Sequence, residues 1–152
     1  MTAPAADSAT LSVTTHRFGR LTFDRSQCVL FADGLPGFSS CRAFVLLPTA
    51  VDALVWLQSL DHPDLALLLL TPDAIEDGRA AIPETLRRDG ILSLVVVTLP
   101  GQYRPGATVN LKAPIVVDRA AGTGRQIILP DSPFGVAHPF ALEALVTRGL
   151  KS

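Results

Sequence analysis

Residues 54–72 read LVWLQSLDHPDLALLLLTP, two apolar runs (54–59 and 65–70) separated by Leu60-Asp61-His62-Pro63-Asp64. Leu favours helix, and Pro63 could open one. Thr71-Pro72 stops the second run after six residues, too short for an independent helix, so it reads as a buried strand. Two strands joined by a polar insert make the chain a β protein. The insert itself has two readings. Asp-x-Pro is ordinary turn chemistry, while two carboxylates beside a His and the only Trp could also face a partner.

Outward from this stretch, short apolar runs recur between Gly, Pro and Asp at 11–15, 20–23, 27–31, 43–47, 91–99, 109–117 and 126–129. That spacing is the pattern of an all-β domain. Arg17-Phe18-Gly19 turns the first pair, and Ala121-Gly122-Thr123-Gly124 reads as a hairpin tip needing positive φ. Residues 83–88 suit one helical turn. Residues 140–148 place Leu142, Leu145 and Val146 on one face of a short amphipathic helix. Twelve prolines fit edges and turns better than helix interiors. The expectation is a mainly β fold: a small antiparallel β-barrel or sandwich-like single domain over 11–140, with one or two short helices. A disordered leader (1–10) precedes it. A short C-terminal helix and frayed tail (141–152) follow.

At 152 residues such a chain buries roughly two-thirds of its unfolded surface. The longest apolar run, six residues, falls far short of the ~20 that span a bilayer. The first ten residues lack the basic and hydrophobic regions of a secretory signal. Cys28 and Cys41 match no metal spacing and read as reduced thiols of a cytoplasmic protein. A net charge of −1 argues against direct nucleic-acid binding. The charge is polarised along the chain. Residues 43–78 hold no Lys or Arg but six acids: Asp52, Asp61, Asp64, Asp73, Glu76 and Asp77. Such a window either attracts a basic partner or reflects the affinity of Asp for turns.

No catalytic or cofactor constellation emerges. His16, His62 and His138 share no metal-binding spacing, and Asp61 and His62, as neighbours in a turn, point apart. Gly34-Leu35-Pro36-Gly37-Phe38 lacks the Lys-Ser/Thr of a phosphate loop and reads as a tight loop with Phe38 plugging the core. Asn110-Leu111-Lys112-Ala113-Pro114-Ile115 places an amide, a cation and a proline in a strand-like run. Pro114 then demands a sheet edge or a bulge. Alternation puts Asn110 and Lys112 on one face, either simply solvated or an interaction strip.

Taken in order, these stretches resemble the bacterial flagellar assembly factor FliW family. The matching residues are Phe31-Ala32-Asp33-Gly34-Leu35-Pro36-Gly37-Phe38, then Trp56-Leu57-Gln58-Ser59 with Asp61 and Pro63-Asp64-Leu65-Ala66. Asn110 to Ile115, Gly124-Arg125-Gln126 and His138-Pro139 follow. The family's usual Pro is Ala32 here. The resemblance implies a non-enzymatic regulator with a small β-barrel and no cofactor. It implies two partners, the basic RNA-binding translational regulator CsrA and flagellin. Flagellin occupies the factor and frees CsrA to repress flagellin synthesis; export of flagellin reverses the exchange. On this reading Asp61, Asp64, Asp73, Glu76 and Asp77 contribute to CsrA recognition. Gln58, Asn110 and Lys112 form or orient a binding face, and Trp56, Phe38 and Pro114 hold the structure. The alternative is a flagellin-binding chaperone or scaffold without CsrA antagonism.

Overall fold

The computed structural model describes residues 10–101 and 106–151. The expected leader falls outside them, except that Thr10 already opens the first strand. Eleven strands run in chain order: β1 (Thr10–Thr15), β2 (Gly19–Asp24), β3 (Cys28–Leu30), β4 (Ala43–Pro48), β5 (Leu54–Ser59), β6 (Ala66–Leu70), β7 (Ile91–Thr98), β8 (Thr108–Val109), β9 (Ile115–Asp118), β10 (Thr123–Gln126) and β11 (His138–Pro139). A helical turn, α1 (Gly78–Ala81), and the C-terminal helix α2 (Leu142–Lys151) complete the described elements, with short 3-10 turns at Arg25–Gln27, Pro72–Ala74 and Glu84–Leu86. The helix therefore runs through Lys151, where the sequence suggests fraying.

Seven strands close into a barrel in the order β7-β6-β5-β4-β3-β10-β9, the last returning to β7. β7 makes closure possible because it is long enough to serve two partners on one edge. Ile91 to Leu94 pair with β9, and Val97 and Thr98 pair with β8. The antiparallel expectation needs one correction. β3 and β10 pair in parallel, with Thr123 opposite Leu30. The run 109–117 is likewise not one strand. The Asn110 side chain accepts the N–H groups of Lys112 and Ala113, both at 3.1 Å, and folds the backbone into a loop between β8 and β9. Asn110 and Lys112 are thus loop residues rather than two positions on a strand face. The expected strand 126–129 starts earlier, at Thr123, and its remainder continues only as Ile127 and Leu129 donating to the carbonyls of Pro114 and Lys112.

Alternation along β5 and β6 explains the uninterrupted leucines. Val55, Leu57, Leu67 and Leu69 pack inside the barrel with Phe31, Phe44, Leu94 and Ile115. Leu54, Trp56, Leu68 and Leu70 point outward into a second cluster beneath residues 74–86 and α2, where Leu145 is buried. A strand buried on both faces loses its polar alternation. One end of the barrel is sealed by Leu35, which is 2% exposed, while Phe38 is 46% exposed. The expected plug is therefore the other apolar residue of the loop. A turn at Pro36-Gly37, with Gly37 at φ 86°, bonds Leu35 to Phe38 in both directions, and only Leu35 reaches the cluster around Phe31 and Cys41.

Gly122, at φ 69°, makes the β9–β10 turn. Gly124 has a different role. A Cβ there would lie 2.7 Å from Phe31 Cζ and 2.9 Å from Val29 Cγ1, so the closing strand approaches the aromatic core only because that atom is missing. Gly124→Ala should cost about 2 kcal/mol by overpacking, lowering Tm by roughly 5 °C for a chain of this size. A thermal melt checks this.

Candidate partner-binding surface

The β5–β6 turn is built around a buried amide. Gln58 is fully buried. Its Nε2 donates to the carbonyls of Ser59 (2.9 Å), Pro63 (3.2 Å) and Leu65 (3.1 Å). Its Oε1 has no partner among the described residues. Ser59 Oγ accepts the N–H groups of Asp61 (3.1 Å) and His62 (2.9 Å). Gln58 thus shapes the turn from inside and presents nothing to solvent.

Asp61 is exposed, yet its carboxylate is already engaged. Oδ2 accepts the N–H groups of Ala43 (2.9 Å) and Arg42 (2.7 Å), which tie the turn to the start of β4. Those two backbone bonds hold the carboxyl below the ordinary carboxylate range, against a smaller opposing effect of burial. His62 Nε2 lies 3.4 Å from Ser40 Oγ. Asp61 and His62 form no acid–base pair. Asp64 is exposed, and its carboxylate has no partner among the described residues.

The β1–β2 hairpin leans on the same turn. The His16 N–H donates to the Pro63 carbonyl at 3.1 Å. Arg17 places its guanidinium carbon 4.5 Å above the Trp56 ring, and Phe18 meets that ring edge-on at 5.6 Å. Trp56 is held between the outer cluster and the hairpin tip by packing and a cation–π contact. Sequence reading found Arg17 and Phe18 only as a turn, because nothing in the local pattern names a partner forty residues away.

Asp73, Glu76 and Asp77 are exposed at the other end of β6, in the crossover to β7. Asp77 Oδ2 lies 3.1 Å from His138 Nε2. His138 stands opposite Val109 in the β8–β11 pair and meets Phe134 edge-on at 5.7 Å. Asn110 follows Val109 directly, so this contact draws Asp77 toward the Asn110–Lys112 loop. Lys112 Nζ reaches the Pro130 carbonyl at 3.3 Å. The acid-rich window therefore divides: Asp52 lies in the β4–β5 turn, and the other five acids form two groups. Asp61 and Asp64 lie at one end of β6. Asp73, Glu76 and Asp77 lie at the other, about 17 Å away by strand rise, with Asp77 tied through His138 to the strand that precedes Asn110.

The Asp61 bonds carry a pH signature. A carboxyl depressed in the folded state contributes stability that is complete above its unfolded pKa and is lost as pH falls through the folded value. Native protein should therefore lose stability below about pH 4 more steeply than Asp61→Asn, whose amide oxygen still accepts both N–H groups but does not titrate there. Urea melts between pH 2 and 6 check this, and parallel curves would refute it.

Among the described residues no group of three or more His, Cys, Asp or Glu could hold a metal ion, and no helix is long and apolar enough to cross a membrane. Comparison with known proteins gives a consistent family. The FliW protein family matches residues 12–140. The flagellar assembly factor FliW of Heliobacterium modesticaldum is 38% identical, covering 84% of this chain and 89% of its own. That of Syntrophotalea carbinolica is 34% identical over 81% and 93%. The Bacillus subtilis protein of the same name is 32% identical over 86% and 96%. A crystal structure of the flagellar assembly factor FliW superposes with a TM-score of 0.69 at 26% identity, covering 85% of this chain and 96% of that one. The chain, barrel and motifs together, belongs to the FliW protein family.

Proposed function

We propose that this protein is a flagellar assembly factor working as a partner switch in the cytoplasm. It binds the basic translational regulator CsrA and relieves repression of flagellin synthesis, and unassembled flagellin displaces CsrA. The observation that supports the CsrA half is the set of exposed carboxylates, Asp64, Asp73 and Glu76, that have no partner among the described residues. Carboxylates free of internal bonds keep their full field for a cationic partner. Asp61 and Asp77 belong to the same surface but are partly engaged, by backbone amides and by His138. Gln58, Asn110 and Lys112 serve as positioning groups. They set the backbone from which the acids project. Neither partner is a nucleic acid or a membrane.

Reversing Asp64, Asp73 and Glu76 to Lys should slow association with CsrA by about ten-fold at low ionic strength, with the gap narrowing as salt rises beyond a Debye length of ~10 Å near 0.1 M. Stopped-flow association across a salt series measures it. Gel filtration with CsrA followed by added flagellin then tests the exchange. Displacement supports the switch, whereas a complex with flagellin alone supports the chaperone reading. An unchanged association rate in the folded triple variant removes these acids from the CsrA surface.

A further inference from the structure

The barrel is covered unevenly. Outside β5 and β6, the crossover and α2 bury a second cluster, and the hairpin tip closes over Trp56. The wall formed by β3, β10 and β9, with the start of β7 at its far side, has no such cover among the described residues. Leu30 on this wall is 52% exposed, whereas Val29 beside it packs inward and is buried. Leu30, Val116 and Ile127 line a groove of about 380 Å³ that spans the four strands. An apolar strip rimmed by charged side chains has the composition of a protein–protein contact.

Register gives those charges an order. Leu30 stands opposite Thr123, Thr123 opposite Asp118, and Asp118 opposite Ile91. Side chains at one level of a sheet share a face, as do those two residues along a strand, so Asp118 and Arg125 point out on the Leu30 side. Asp33 follows in the turn after β3. Arg88 precedes β7, its carbonyl accepting the Ile91 N–H at 3.0 Å. All four charged residues line the same groove. In the strand order β3, β10, β9, β7 they run Asp33, Arg125, Asp118, Arg88, which is acid, base, acid, base. None forms an ion pair among the described residues. Asp118 commits only Oδ1, to the Ala121 N–H at 3.1 Å, although Arg125 sits diagonally across the β9–β10 pair, about 7–8 Å away by backbone. A row that alternates in this way is complementary to itself. A two-fold axis passing between β9 and β10 sets Asp33 against Arg88 of a second copy and Arg125 against its Asp118, each pair occurring twice.

We propose that the uncovered β3-β10-β9 wall is a self-association surface that takes a second copy of this chain, with Leu30, Val116 and Ile127 covered at its centre and four reciprocal charge pairs at its rim. The wall is separate from the acidic groups at the ends of β6, so its fate does not depend on the CsrA reading. Four strands span about 15 Å, at the small end of specific interfaces, so the dimer is transient and half-formed near about 0.1 mM. Sedimentation velocity on the native chain from about 10 µM to about 1 mM should show the weight-average coefficient rising from monomer toward dimer. Arg88→Asp and Asp33→Arg change exposed side chains that hold no bond within the described chain, and each puts like charges together twice in the dimer. Either variant alone should stay monomeric across this range. An equimolar mixture of the two should dimerise again, because every Asp at one position then meets an Arg at the other, a recovery that a folding defect would not give. The proposal is overturned, and the wall left to a different protein, if the native chain stays monomeric at about 1 mM. It is equally overturned if either variant alone associates like the native chain, or if the mixture stays monomeric.

Discussion

The buried amide of Gln58 is shared among three carbonyls, and one of these, Pro63, also receives the His16 N–H of the leading hairpin. One side chain therefore fixes the β5–β6 turn and the seat of β1 and β2, and the turn in turn holds Asp61 against β4. Each neutral bond contributes only ~0.5–1.5 kcal/mol net, and the unpartnered Oε1 offsets part of that. What Gln58 supplies is geometry. An aliphatic residue would bury as well but would leave the turn carbonyls without a common donor, and the exposed acid that follows would lose its fixed position.

Much of the barrel was legible because its strands obey simple rules. The leucine run at 65–70 was ended by Thr71-Pro72, and burial on both faces accounts for its missing alternation. The misreadings have physical causes. Residues 109–117 look like one strand because Asn110 alternates with Leu111 and Lys112 with Ala113. Only the fold reveals that the Asn110 side chain caps its own loop. Phe38 was expected inside because of its size, but a Pro-Gly turn lets one flanking residue reach the core, and that residue is Leu35. The parallel β3–β10 pair could not be read at all, since strand direction across ninety residues leaves no local trace.

The candidate surface was legible as residues and not as a shape. Acids that are continuous in sequence separate to the two ends of β6, while Asp77 and Asn110, more than thirty residues apart, are drawn together through His138. A partner that engages both acidic groups must span about 17 Å. A folded basic dimer covers that distance readily, whereas a short peptide docked at one turn does not. Charge spread over such a footprint contributes chiefly to the rate and orientation of encounter, which suits the proposed exchange of partners.

The most direct measurement of this account is hydrogen–deuterium exchange of the folded protein with and without purified CsrA. Slowed exchange at residues 60–64 and 71–79, on the two acidic ends of β6, is the result the account requires. Protection confined to the opposite wall, around Leu30 and residues 123–126, with both acidic segments unchanged, would contradict it.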